Sequence, residues 1–174
     1  KGADIKVRVQ LVEADGTLGY QADREVYVPA LSEYDFLHDF LATGIRFWNG
    51  LKDPYLYTVR VELFKGKRML DIAETKLGYR SFEMDPEKGF ILNGEPYPLR
   101  GVAMHQDMDG RASALTESVY RRDYRIVQEL GANFLRLAHY PHNDMAFRLC
   151  DSLGIIVQTE VPWVNVCGDR AEQA

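Results

Sequence analysis

The stretch Asn133-Phe-Leu-Arg136-Leu-Ala-His139-Tyr140-Pro141, followed by a run to Gly154 and then Ile155-Ile-Val157, decides how this chain is read. Asn133 to Ala138 has the make-up of a buried strand that delivers an arginine and a histidine to its C-terminal end. Behind it, Met145, Ala146, Leu149, Cys150 and Leu153 recur at the spacing of one helical face. Asn143 or Asp144 caps that helix, and Gly154 closes it. Ile155-Ile-Val157 is then a further buried strand. A strand, a helix and a second buried strand are the grammar of a parallel α/β barrel, with polar groups at the strand ends where such barrels keep their chemistry.

Toward the N-terminus the same grammar begins at Leu99-Arg-Gly-Val-Ala-Met104, a short strand running into His105. Thr116 caps a helix whose stripe is Val119, Ile126, Val127 and Leu130, with Gly131 just past its end. Upstream, Phe90-Ile-Leu-Asn-Gly94-Glu-Pro-Tyr-Pro98 is a tight hairpin around Asn-Gly. Before that the chain reads as β structure. Ile5 to Leu11 alternates apolar and polar side chains, Ala14-Asp-Gly16 supplies a turn, and Glu25-Val-Tyr-Val-Pro29 is a second strand. Tyr55 to Phe64 is the clearest strand, with Tyr57, Val59, Val61 and Leu63 on one face, and Lys65-Gly66-Lys67 turns it into a return strand from Met69 to Thr75. Asp35 to Gly44 also fits a helical turn. Strands at this spacing suggest an antiparallel sandwich of the immunoglobulin type.

The predicted fold is multidomain, β plus α/β. An immunoglobulin-like β-sandwich over residues 1–83 precedes, over 84–174, the first three βα units of an incomplete TIM barrel. A barrel needs about eight strands, so a truncated one is expected, with apolar faces of its strands and helices left uncovered.

With 174 residues, 46% hydrophobic and 27% charged, the composition is globular and excludes disordered and collagen-like classes. The 26 acidic and 21 basic residues are scattered, without a cationic run to follow a phosphate backbone, so no nucleic acid partner is expected. No apolar run approaches the roughly 20 residues that span a bilayer, and no membrane association is expected. Lys1-Gly-Ala-Asp4 lacks the order of a signal peptide, yet a chain that does not open on methionine leaves an upstream leader open. Bacterial cytoplasm and periplasm both stay open. Cys150 and Cys167 have neither disulfide nor metal spacing and are read as free thiols; no cofactor is expected.

His105, His139 and Glu160 fall just after three successive predicted strands. Arg136 precedes His139 in one extended segment, so the two alternate to opposite faces unless the strand ends or bulges between them. His139 is therefore directed into a site, while Arg136 pairs with a carboxylate and holds the strand end. Trp163 is the aromatic placed to stack on a sugar ring, with core packing an equal alternative; the aromatics around Trp48 and Tyr55 are expected in the sandwich core. His38 and His142 are read as structural, and Asp107 and Asp109 as parts of a solvated turn. Two histidines and a carboxylate also suit zinc or non-haem iron, but no His-x-His or Glu-x-x-His spacing supports it, and no metal is assigned.

These residues resemble glycoside hydrolase family 2, the group of β-galactosidases, β-glucuronidases and β-mannosidases. Asn133-x-Leu-Arg136-x-Ala138-His139-Tyr140-Pro141, with Asp151-x-x-Gly154-Ile-Ile-Val157, is similar to that family's first barrel signature. Trp48-Asn-Gly-Leu-Lys-Asp-Pro54-Tyr-Leu-Tyr57 and Leu77-Gly78-Tyr-Arg80 resemble the last strands of its immunoglobulin-like domain. Phe90-x-Leu-Asn93-Gly94-x-Pro96 and Arg100-Gly101-Val-x-x-His105 resemble its approach to the barrel. Leu137, Ala146 and Gln158 depart from the usual pattern and leave the substrate open.

The resemblance implies retaining hydrolysis, in which one glutamic acid protonates the leaving oxygen and another glutamate about 5–5.5 Å away attacks the anomeric carbon. In the family the acid/base glutamate directly follows an asparagine after the fourth barrel strand, and the nucleophile follows the seventh. The five asparagines here precede Gly50, Gly94, Phe134, Asp144 and Val166, so neither catalytic glutamate is expected in this chain. The resemblance carries over His139 as a contact to sugar hydroxyls or developing charge, Arg136 as support, His105 as a neighbour, and Glu160 in a non-catalytic place. The expectation is a fragment of a retaining exo-β-glycosidase, galactoside-directed and inactive alone. Its partners are a carbohydrate substrate, the remainder of the barrel and an N-terminal sugar-binding domain, with a homo-oligomer left open. A non-catalytic carbohydrate-binding or scaffolding module is the alternative, and a metal-dependent hydrolase a minor third.

Overall fold

The computed structural model describes residues 1–37, 39 and 41–162. Two compact units emerge, one formed by Lys1–Phe47 and Tyr55–Tyr79, the other by Trp48–Pro54 and the chain from Arg80 onward. His38, Phe40, Trp163 and Cys167 lie outside the described residues.

The first unit is a four-stranded antiparallel sheet. Its strands are β1 (Ala3–Val12), β2 (Leu18–Val28), β3 (Tyr57–Lys65) and β4 (Arg68–Leu77), in the order β2-β1-β3-β4. Register places Val7 opposite Leu63 and Val9 opposite Val61, so these side chains share a face with Ile5 and Val26. That face lines an open apolar cavity with Tyr34, Phe36 and Leu70, one layer of the β-sandwich architecture. The other face carries charge. Arg8 pairs with Asp23 at 2.8 Å and approaches Glu62 at 3.7 Å, which explains how Glu62 can be only 8% exposed. No helix forms between Asp35 and Gly44 among the described residues.

The second unit opens with a hairpin of β5 (Phe82–Asp85), β6 (Gly89–Leu92) and β7 (Glu95–Pro96). Asn93 and Gly94 both take positive φ, 52° and 84°, as a two-residue hairpin turn requires. Then β8 (Gly101–Met104), α1 (Glu117–Glu129), β9 (Phe134–Leu137), α2 (Asp144–Leu153) and β10 (Ile156–Thr159) alternate, and the strands form a parallel sheet in the order β10-β9-β8. Leu135 and Leu137 point from β9 into a core completed by Tyr120, Tyr124 and Val127 of α1 and by Ala146, Leu149 and Cys150 of α2. This is the order of elements expected from the sequence.

Two expectations are corrected. The buried stripe of α1 is Val119, Tyr120, Tyr124 and Val127, whereas Ile126 is 46% and Leu130 67% exposed. Two tyrosines complete the 3.6-residue period, and Ile126, one step beside Val127, is rotated to the flank. Trp48 is buried, but in the second unit rather than the sandwich core. Its Nε1 donates to Asp151 O at 2.7 Å, its carbonyl accepts from Asn93 Nδ2 at 3.0 Å, and the Arg80 guanidinium lies over its ring. The turn that follows it is held just as closely: a Cβ on Gly154 would fall 2.3 Å from Gly50 O.

Candidate active site

The parallel strands end side by side, and each is followed within two residues by a polar side chain. His105 follows Met104, His139 comes just past Leu137, and Glu160 follows Thr159. Asn133 fixes the opposite end of the β8/β9 pair, its Oδ1 accepting from Arg100 N at 2.7 Å and its Nδ2 donating to Pro98 O at 2.9 Å. The strand ends are thereby set in register.

Glu160 is the hub of the cluster. Arg136 Nε donates to Glu160 Oε1 at 2.5 Å, and His139 Nδ1 lies 2.8 Å from Oε2. Strict strand alternation separates Arg136 from His139, but β9 ends at Leu137, and past that point the histidine turns to the same carboxylate as the arginine. The Ala138–His139 peptide is cis. Hydrogen bonds from Arg136 first, and from His139 second, hold the Glu160 carboxyl below the usual carboxylate range, against a weaker opposing pull from burial. An ionised carboxylate only accepts, so the proton between Glu160 and His139 sits on Nδ1. In its neutral form the His139 ring then offers Nε2 as an acceptor. Arg136 Nη2, which can only donate, lies 3.3 Å from that Nδ1 and makes no bond to it while Nδ1 carries the proton.

The Glu160 side chain is 19% exposed, those of Arg136 and His139 43% and 45%, so the carboxylate is the covered anchor and the cation and imidazole form the open rim. His105 is exposed and meets His139 edge to face, with ring centroids 5.4 Å apart. Its Nδ1 is 3.2 Å from Tyr140 Oη. Tyr140 in turn stacks on His142, at 5.2 Å and 25°, and the buried His142 ring donates from Nε2 to Ala138 O at 3.0 Å. Gln106, next to His105, accepts through Oε1 from both Asn143 N at 2.8 Å and Tyr120 Oη at 3.3 Å. It ties the loop after β8 to α1 and to the start of α2.

The structure thus brings His105, Arg136, His139 and Glu160 into one cluster; Trp163 lies outside the described residues. Asp109 lies in a turn closed by Met108 and Ala112, and Asp107 immediately precedes it. Among the described residues, no group of three or more His, Cys, Asp or Glu side chains is placed to hold a metal ion. Sequence reasoning missed Tyr140, His142 and Gln106 as parts of this arrangement. Their signal was the ring spacing in His139-Tyr140-Pro-His142, which puts three rings on one short turn.

The description "Glycosyl hydrolases family 2, TIM barrel domain" matches residues 84–170, and "Glycosyl hydrolases family 2" matches residues 1–80. Over 169 residues the chain is 34% identical to a beta-glucuronidase of Bacteroides fragilis, covering 97% of this chain and 24% of that protein. It is 29% identical to Beta-galactosidase BoGH2A of Bacteroides ovatus, covering 90% of this chain and 18% of that protein. Among solved structures, a Bacteroides uniformis beta-glucuronidase 2 covalently bound to cyclophellitol-6-carboxylate aziridine superposes with a TM-score of 0.91 at 32% identity, over 97% of this chain and 20% of that one. The chain therefore spans about a quarter or less of the length of these relatives. With its β-sheet followed by parallel βα units, and with its strand-end residues in that order, this chain belongs to glycosyl hydrolases family 2.

Proposed function

We propose that this chain forms one wall of the sugar site of a retaining exo-β-glycosidase, with residues 1–83 its immunoglobulin-like domain and 84–174 the start of its catalytic barrel. The observation that carries this is the Glu160 cluster at the C-terminal ends of parallel strands, where barrels of this architecture gather their chemistry. His139 and His105 present ring nitrogens to a hydroxyl-bearing ligand, and Arg136 holds the wall in place through Glu160. Glu160 is fully engaged by its two partners, so it is an anchor rather than the acid or the nucleophile. Those two carboxyl groups belong to other parts of the enzyme.

A galactoside suits a wall whose arginine is already committed to a carboxylate, since a neutral sugar asks for no further cation. A glucuronide is the second reading, favoured by the relatives that carry the name beta-glucuronidase. The full-length protein assayed with chromogenic β-galactoside and β-glucuronide separates the two by their kcat/KM. His139→Ala is expected to lower kcat/KM on the preferred substrate at least tenfold, about 1.4 kcal/mol of transition-state stabilisation. An unchanged value would remove His139 from the site.

A further inference from the structure

We propose that Tyr140, braced by His142, is a positioning residue that fixes His105 as the Nε2–H tautomer. The inference rests on the glycosidase reading only for the identity of the ligand that His105 would meet. The geometry comes from the contacts of Tyr140 and His142, which are separate from those that Arg136 and His139 make with Glu160. Tyr140 stacks on His142, and His142 cannot swing away, because it is 7% exposed and its Nε2–H is held by Ala138 O at 3.0 Å. The Tyr140 hydroxyl therefore arrives from a fixed direction, 3.2 Å from His105 Nδ1.

The direction of that hydrogen bond follows from the two groups. A phenol is the better donor and a bare imidazole nitrogen the better acceptor, so the proton stays on Tyr140 and points at Nδ1. The His105 proton is then on Nε2, the nitrogen turned away from Tyr140. His139 has the reverse arrangement, because Glu160 holds its proton on Nδ1. Two imidazoles with centroids 5.4 Å apart thus offer one donor and one acceptor. A hydroxyl is itself both donor and acceptor, so this pair reads one hydroxyl, or two neighbouring ones, with every partner matched. Two rings of the same tautomer would leave one group facing its own kind, and a polar group that gives up water for a mismatched partner costs affinity when the ligand covers it.

Nitrogen-15 NMR of the histidine side chains in the full-length protein, at a pH where the rings are neutral, tests this directly. His105 is expected to show an unprotonated Nδ1 and a protonated Nε2, with His139 showing the opposite pattern. In Tyr140→Phe, which keeps the stack on His142 and removes only the hydroxyl, His105 is expected to relax to a mixture of tautomers. The same variant should lose about threefold to tenfold in kcat/KM, the value of one neutral hydrogen bond. A protonated Nδ1 on His105 in the unsubstituted protein would overturn the proposal and needs no variant to fold. So would an unchanged tautomer in Tyr140→Phe. If the tautomers are as stated but no β-glycoside is turned over, the glycosidase reading fails and the role of Tyr140 stands.

Discussion

Glu160 shows how much one side chain settles here. Its carboxyl takes a guanidinium on one oxygen and an imidazole on the other, and both interactions favour the charged form. The folded-state pKa is therefore below that of the unfolded chain, and the sign of the linkage follows. The contribution of the cluster is fully present above the ordinary glutamate range and is lost as the pH falls through the depressed folded value. A carbon-13 titration of Glu160 should give a midpoint below the ordinary glutamate range. A midpoint within or above that range would mean that Arg136 and His139 do not hold the carboxylate. Arg136 and Glu160 were legible from sequence as a cation inside a strand and an acid at the end of the next one. The Tyr140–His142 stack was not, because it depends on the turn after Ala138, whose course no periodicity predicts.

At the scale of elements, the close approach of β8 to β9 depends on a single missing side chain. A Cβ on Gly101 would lie 2.2 Å from Phe134 O and 2.5 Å from the Phe134 ring, the first of which is backbone and cannot move without breaking register. Gly101→Ala is therefore expected to cost about 1–3 kcal/mol in urea unfolding and to speed amide exchange along β8 more than along β10. A variant as stable as the parent would show that β8 can slide. Gly101 stood in the sequence as part of a motif, with nothing to say what it approached. The apolar stripe of α2, its Asn143 cap and its Gly154 close were all readable, since Asn143 Oδ1 accepts from Met145 N and Gly154 takes φ 78°. Helix α1 was harder, because Tyr120 and Tyr124 are amphipathic, and only packing tells a buried tyrosine from a surface one.

For the whole molecule, Trp48 was expected in the sandwich, both as an aromatic near Tyr55 and by its resemblance to the last strands of an immunoglobulin-like domain, and hydrophobicity predicts burial but not the core that supplies it. The structure assigns Trp48–Pro54 to the barrel unit, where Asp151, Asn93, Arg80 and Gly154 receive it. Those partners lie far along the chain, and their polar contacts follow no pattern of period 2 or 3.6. Asp151 is only partly covered: desolvation raises its carboxyl above the usual range, and Arg80, 3.6 Å away, offsets only part of the effect. Asp151→Asn should therefore leave Tm at neutral pH close to that of the parent, because a side chain 41% exposed keeps much of its water and an ion pair this open contributes little. A clear fall in Tm would mean that the Arg80 pair outweighs burial.

Catalysis sets the largest-scale expectation. Retaining hydrolysis needs two carboxyl groups about 5–5.5 Å apart across the scissile bond, one able to give up a proton and one free to attack. Around the strand ends described here Glu160 is the carboxylate at the hub, and it is neither: Arg136 and His139 occupy both its oxygens and hold it ionised. A general acid must keep a proton near working pH, and a nucleophile must present a lone pair to the anomeric carbon. The isolated 174-residue chain is accordingly expected to show no turnover of chromogenic β-galactoside or β-glucuronide, and under the proposed function a full-length enzyme is expected to turn over one of them. Cleavage by the isolated chain that Glu160→Gln abolishes would assign Glu160 a catalytic role and overturn its reading as an anchor. Cleavage that survives Glu160→Gln would instead place the acid and the nucleophile elsewhere within these residues.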